Sequence, residues 1–201
     1  MAYKRSERMQ QRLAGNRERI LQAARELVAA GGYRNAPVTA VAAAAGVSTG
    51  LIYRHFPSKA GLFVEVLDAA IAHELELLQA IADGGQPSAQ RLQAAVTSFV
   101  RRALAGPGLA HAFIAEPVDP EVEAARILGR RRFTDVFARI ISDGVQRGEL
   151  PAQDPHVTAA CLVGAFTEAL VGPTAPSGDH AGDGEQLSAS IVGFCLRAAG
   201  A

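Results

Sequence analysis

Residues 46–59 read GVSTGLIYRHFPSK. Ile52 and Phe56 stand four residues apart, on one side of a helix, so that side is built to pack. The other side shows Thr49, Gly50, Leu51, Tyr53, Arg54 and His55, with Ser48 before them and Lys59 after. A core helix has no use for so many hydrogen-bonding groups, and a solvated helix has no use for the aromatic ring. The segment reads as a surface that meets something outside the chain.

Its neighbours say what kind of surface. Residues 38–45 form a short helical stretch, with Pro37 suited to the first turn, and Gly46 breaks it. Ser48 is an N-cap for a helix from Thr49 to about Phe56, which Pro57 helps to end. Two helices joined by a turn of three or four residues make a helix-turn-helix, whose second helix enters the major groove of DNA. Val41, Ala42, Ala45, Val47, Ile52 and Phe56 fall where the pair must pack, and the small Ala residues permit close approach.

The outward residues suit a duplex. Hydroxyls of Ser48, Thr49 and Tyr53 and the Lys59 ammonium can bond phosphate oxygens. Arg54 matches O6 and N7 of guanine, and Leu51 matches a thymine methyl. Gly50 lets backbones approach, and the helix start at Thr49 favours an anion. Taken singly, Tyr53 and Phe56 also read as core, Arg54 as a solvated charge and His55 as a partly buried structural residue. Their joint occurrence in one helix-turn-helix frame favours DNA.

Charge agrees. The 201 residues have zero net charge, yet residues 1–59 carry ten Lys/Arg against three Glu, which leaves +7 there and −7 in the rest. A basic N-terminal third points to a polyanion, the plainer reading being a solvated basic tail. Ala is abundant, 49% of residues are apolar and alternating runs are absent, so the chain reads as all-α with a substantial core. No apolar run reaches the roughly 18 residues of a membrane span, and no apolar signal core follows the basic start. Cys161 and Cys195 have no metal-ligand or CxxC spacing, which fits a reducing cytoplasm. Both lie on apolar stripes and read as buried, unreactive thiols.

About nine helices are expected. The first runs from Asn16 to about Ala30 and ends at Gly31-Gly32; a long one follows Ser58, with the stripe Phe63, Leu67, Ile71, Leu75 and Leu78. Ser88 opens another, a short piece covers 109–115, and Asp119-Pro120 and Asp154-Pro155 give acidic-cap starts for two more. Residues 172–184, rich in Gly, Pro and Asp, read as a mobile loop before a last helix.

The stretch GVSTGLIYRHFPSKAGLF resembles the signature of TetR-type (TetR/AcrR) transcriptional repressors, with Gly46, Val47, Ser48, Gly50, Ile52, Tyr53, His55, Phe56, Ser58, Lys59 and Leu62 on pattern. The preceding ILQAARELVAAGGY is similar to the family's first helix. The resemblance implies a helix-turn-helix domain over 14–74, a helical ligand-binding and dimerisation domain over 75–201, and a homodimer released from a near-palindromic operator by a small-molecule effector. It also implies DNA contacts, chiefly to phosphates, from Ser48, Thr49, Gly50, Tyr53, His55 and Lys59. Two positions depart from the pattern. Ala36-Pro37-Val38 stand where a Thr usually begins the second helix, with Thr39 following, and Ala60-Gly61 replace the acidic half of a capping box.

The C-terminal half resembles the family only in architecture. The helix over 155–171 is apolar nearly all round, so it needs a second burying partner. With the helix over 186–199 it would form a four-helix bundle across a two-fold axis, burial inside one monomer being the alternative. Glu168 is compatible with pairing across that interface, exposure at its rim, or lining a cavity. His111, Phe113, Arg130, Phe133, Phe137 and Phe166 are candidate pocket residues, the plainer reading being core. No nucleophile with an acid–base partner and no metal set converges, so neither an enzyme nor a cofactor is expected. A ligand-independent DNA-binding regulator or activator is the other reading.

Overall fold

The computed structural model describes residues 2–176 and 184–201, with side chains from residue 14 onward. The described residues form nine helices and no strand: α1 Ala2–Gly31, α2 Val38–Ala45, α3 Thr49–His55, α4 Lys59–Ala82, α5 Ser88–Ala105, α6 Pro107–Ile114, α7 Pro120–Gln146, α8 Pro155–Thr174 and α9 Gly184–Ala199. Most of the sequence punctuation lies where expected. Gly46 takes the left-handed conformation at φ 64°, and its N–H faces the last carbonyls of α2, which closes the helix without a Cβ penalty. Ser48 Oγ accepts from Leu51 N at 3.2 Å, and Ser58 Oγ accepts from Gly61 N at 2.8 Å, so α4 is capped despite the missing acidic partner.

Three expectations need correction. α1 begins at Ala2 rather than Asn16. Its early residues (Arg, Glu, Gln, Met, Leu) favour helix by propensity but form no apolar stripe, so periodicity alone missed them. Asp119 precedes α7 as expected, but its carboxylate accepts from the Tyr33 hydroxyl and makes no side-chain cap. α8 runs past Gly172 and Pro173 to Thr174, and Pro155–Thr174 is long and apolar enough to cross a membrane by length and composition. That overturns the reading of no such segment: interruption by His156, Glu168 and three Thr does not lower the average enough. Residues 177–183 of the expected loop lie outside the described residues.

Helices α1–α3 and the start of α4 pack around Ile20, Ala24, Val28, Val41, Ile52, Phe56 and Leu62, all at most 1% exposed. The body packs α4 against α7, α7 against α8, and α5 against α9. Its centre is aromatic: Phe137 and Phe166 rings lie 5.5 Å apart, and Phe166 and Phe99 lie 5.0 Å apart. α4 runs unbroken through residues 74 and 75, where the sequence reading sets its domain boundary. At its far end, buried Arg91 donates to Ala82 O at 2.8 Å and to Ser88 Oγ at 3.0 Å, and pairs with Asp143. That guanidinium straps α4, α5 and α7 together and holds the Asp143 carboxyl below its usual pKa.

α6 crosses α1 so closely that a Cβ at Gly108 would overlap the Ala29 carbonyl oxygen. Because the obstacle is backbone, it cannot swing aside. We expect Gly108→Ala to destabilise the protein by about 1–3 kcal/mol, read as a lower urea midpoint with an unchanged slope.

Candidate functional site

The head presents one outward face. Ile52 of α3 and Phe56 just after it are 1% and 0% exposed and turn inward. On the other side Ser48, Gly50, Tyr53 and Arg54 are exposed, Thr49 and Leu51 are half-buried, and Thr39 is exposed on α2. The phenol of Tyr53 projects with 51% of the residue accessible. Gly50 has open space where a Cβ would stand, so the fold itself has no need for a glycine there. A helical glycine costs roughly 0.5–1 kcal/mol relative to Ala.

Two expected contact residues are partly engaged inside the chain. His55 is half-buried, tilts against Phe56 with ring centroids 6.2 Å apart, and has an enclosed Nε2 without a partner. The Lys59 ammonium donates to Tyr33 O at 3.0 Å and lies 4.1 Å from the Tyr33 ring centroid. Helix and turn spacing showed Lys59 as a surface cation; its partner lies 26 residues earlier in the chain, beyond the reach of a local reading.

Tyr33 is thereby a junction. Its ring meets Phe63 edge-on at 4.8 Å, its hydroxyl donates to Asp119, and its N–H donates to the Glu116 carboxylate at 2.7 Å. Arg34 N donates to the other Glu116 oxygen at 3.1 Å. Burial and the neighbouring Asp119 push the Tyr33 pKa up, so the phenol stays a donor. The loop after α6 therefore holds the turn after α1 by two carboxylates, and that turn holds the first residue of α4. The sequence singled out none of Tyr33, Glu116 and Asp119 as contact residues.

Behind this junction lies a cavity of about 380 Å³ between α1, α4, α5, α6, α7 and the side of α8. Phe113, Arg130 and Phe133 line it, as expected from the sequence. His111, Phe137 and Phe166 do not. Phe137 and Phe166 are fully buried: Phe137 continues the Phe133 face one turn further along α7, and its ring packs on Phe166 of α8, which in turn meets Phe99. The lining the sequence reading passed over includes Arg25, Leu67, Ile71, Glu74, Phe99 and Arg102. These residues come from separate helices, and only the tertiary fold gathers them. Arg126 also lines it, donating to Ala112 O and Glu116 O at 3.0 and 2.8 Å. Burial lowers its pKa, with the Arg130 charge adding to that and Glu123 opposing it.

The outer faces of α8 and α9 carry Val157, Cys161, Gly164, Glu168 and Phe194, all exposed. Cys161 is thus not the buried thiol expected, because α8 packs against the body along one side only. Cys195 is buried, and desolvation pushes its pKa up to about 11. Of the placements open to Glu168, the single chain shows exposure on this face.

A helix-turn-helix head with an outward recognition face, locked to a helical body that encloses a cavity, defines a two-part helix-turn-helix regulator fold. The comparisons agree. Residues 20–66 match the model for bacterial regulatory proteins of the tetR family, and residues 85–170 match a tetracyclin repressor-like C-terminal domain. The chain belongs to the tetR family. It is 35% identical over 135 residues to the HTH-type transcriptional repressor KstR of Mycolicibacterium smegmatis, covering 64% of each chain. Against three KstR relatives the match spans 59 to 64% of their length, under two thirds. In fold it is similar to the regulator FadR of Bacillus subtilis, solved with stearoyl-CoA, at TM-score 0.79 and 20% identity, covering 90% of this chain and 98% of that one. A tetR-family regulatory protein of Rhodococcus RHA1 gives TM-score 0.70 at 25% identity, covering 92% and 97%.

Replacing Glu116 by Ala strands the N–H groups of Tyr33 and Arg34. The expected loss is about 1–3 kcal/mol in urea unfolding, together with faster hydrogen exchange at those two amides. Glu116→Gln, which keeps an acceptor oxygen, should recover part of both.

Proposed function

We propose that the chain is a homodimeric DNA-binding transcriptional repressor, released from its operator by a small amphipathic ligand held in the body cavity. The observation that carries this is the outward face of α3, where Gly50 has no structural role and Tyr53 and Arg54 project without covering protein. In this reading residues 14–74 form the DNA-binding unit and 75–201 the regulatory unit. Thr39, Ser48, Thr49, Gly50, Tyr53, His55 and Lys59 approach the phosphate backbone, while Arg54 and Leu51 face base edges. Ser48 accepts from Leu51 N yet keeps its hydroxyl proton for a phosphate. Lys59 keeps N–H groups beyond the one given to Tyr33 O.

Dimerisation is assigned to the helices over 155–171 and 186–199. The free side of α8 is small or apolar at Val157, Cys161 and Gly164, and a Cβ at Gly164 would meet nothing within the chain. A second copy of α8 accounts for that face, as it accounts for the apolar length of the helix without a lipid bilayer. The cavity supports a ligand over a ligand-independent regulator: it lies within the size range of small-molecule sites and is lined mainly by apolar side chains. FadR holds stearoyl-CoA and the KstR proteins are named as repressors, and both descriptions fit an apolar effector and repression here. A regulator that acts on chromosomal DNA resides in the cytoplasm, and this reading assigns the chain no catalytic step.

Selection from a random duplex library should return a near-palindrome with half-site centres about 34–36 Å apart. Affinity for it should fall by roughly a thousandfold between 50 and 200 mM salt. Recovery of no enriched site would remove the proposal. Gly50→Ala should stabilise the fold by about 0.5–1 kcal/mol and weaken operator binding, a combination that a purely structural glycine cannot give. Tyr53→Phe should weaken all duplexes alike, whereas Arg54→Ala should lose about 1–3 kcal/mol of discrimination at one base pair.

A further inference from the structure

The charges around the cavity do not balance. Arg25, Arg102, Arg126 and Arg130 line it with Glu74 as the carboxylate. Arg102 is satisfied by Glu74, through Nε to Oε1 at 2.9 Å and Nη2 to Oε2 at 2.7 Å. Arg126 pairs with Glu123 at 2.6 Å and holds two carbonyls of the α6 end. Among the described residues, the guanidiniums of Arg25 and Arg130 have neither an ion pair nor a hydrogen-bond acceptor. Both residues are exposed overall, while Phe99, Phe113 and Phe133 line the cavity as apolar surface.

Their positions in the fold differ. Arg25 lies on α1, in the DNA-binding unit, and Arg130 lies on α7, in the body. Two uncompensated guanidiniums lining one cavity attract an anion, and their forked donors match carboxylate and phosphate oxygens. We propose that Arg25 and Arg130 together bind the anionic end of an amphipathic effector whose apolar tail fills the cavity, so that the ligand bridges α1 to α7. The effector class is an apolar-tailed carboxylate or phosphate. Its bridge adds a contact between head and body to those the ligand-free chain makes at the Tyr33 junction and at the Gly108 crossing. The regulatory half of this inference rests on the ligand-release reading above; the binding half does not.

Calorimetry with the full chain tests it, using probes below their micelle-forming concentrations. Dodecanoate and dodecyl phosphate represent the two anionic heads, dodecanoyl-CoA tests a phosphate-rich carrier, and dodecanol and dodecyltrimethylammonium are the neutral and cationic controls. At least one anion should bind about tenfold or more tighter than dodecanol. Arg25→Gln and Arg130→Gln should each remove most of that advantage and leave dodecanol affinity unchanged. Arg131→Gln, an exposed neighbour that does not line the cavity, should change nothing. Unaltered melting of the ligand-free variants keeps folding out of the comparison. Equal binding of dodecanol or the cation, no binding of any anion, or wild-type anion affinity in Arg25→Gln or Arg130→Gln would each overturn the proposal. Operator binding is measured separately without ligand, so its failure removes the repressor reading and leaves the calorimetric result standing. With an operator in hand, Arg25→Gln should raise the anion concentration needed for release by the same factor as its loss in affinity.

Discussion

The backbone of α6 rests on the backbone of α1. At Gly108 even a methyl group would overlap the Ala29 carbonyl, so no soft side chain lies between the two helices to absorb a shift. Just beyond, Glu116 and Asp119 take hold of Tyr33, and Tyr33 in turn holds Lys59 at the start of α4. Three helices of two units therefore meet at one corner through short polar contacts and a backbone crossing. Packed contacts of this kind respond to displacement by moving together rather than by deforming.

The position of α4 follows from that corner. Its first residue is held through Lys59 and Tyr33, and its last turn is held by Arg91, which also grips α5 and α7. Between those anchors Leu67 and Ile71 line the cavity. A helix fixed at both ends and touched in the middle has two adjustments available: rotation about its axis or a tilt at the weaker anchor. Arg91 is 5% exposed and multiply bonded, whereas Lys59 gives one hydrogen bond and a ring contact from a half-buried position. Of these two side-chain anchors, the one at Lys59 is the more exposed and the less bonded.

The head was legible in the sequence because its information is local. Gly46 closing α2, Ser48 capping α3, and the inward trio Val47, Ile52 and Phe56 are all decided within one or two helical turns. The cavity was legible only in part. Phe113, Arg130 and Phe133 sit on helices whose stripes are readable, yet whether a given stripe residue faces a void or a neighbour depends on helix crossings that sequence spacing does not encode. Phe133 and Phe137 are one turn apart on α7 and end in different environments, the first against the cavity and the second fully enclosed. The reading of Cys161 failed for a related reason. An apolar helix announces that it is buried, but not by which chain, and within this chain α8 is covered on one side only. Tyr33, Glu116 and Asp119 were out of reach altogether, their pairing spanning more than eighty residues.

Features that weaken the isolated chain share an orientation. Gly50 gives up helix propensity with nothing packed against it, Gly164 does the same on α8, and Arg25 and Arg130 line the cavity without a counter-charge. None of them is explained by a contact inside the protein, while glycines such as Gly108 and Gly144 are explained by neighbours that leave no room. The unexplained ones open in three separate directions: from the outward side of α3, from the free side of α8, and into the cavity. A sequence under selection for stability alone would replace them with residues that each restore a fraction of a kcal/mol. In the proposed reading these are the sides that face a duplex, a second copy of the chain and the anionic end of an effector.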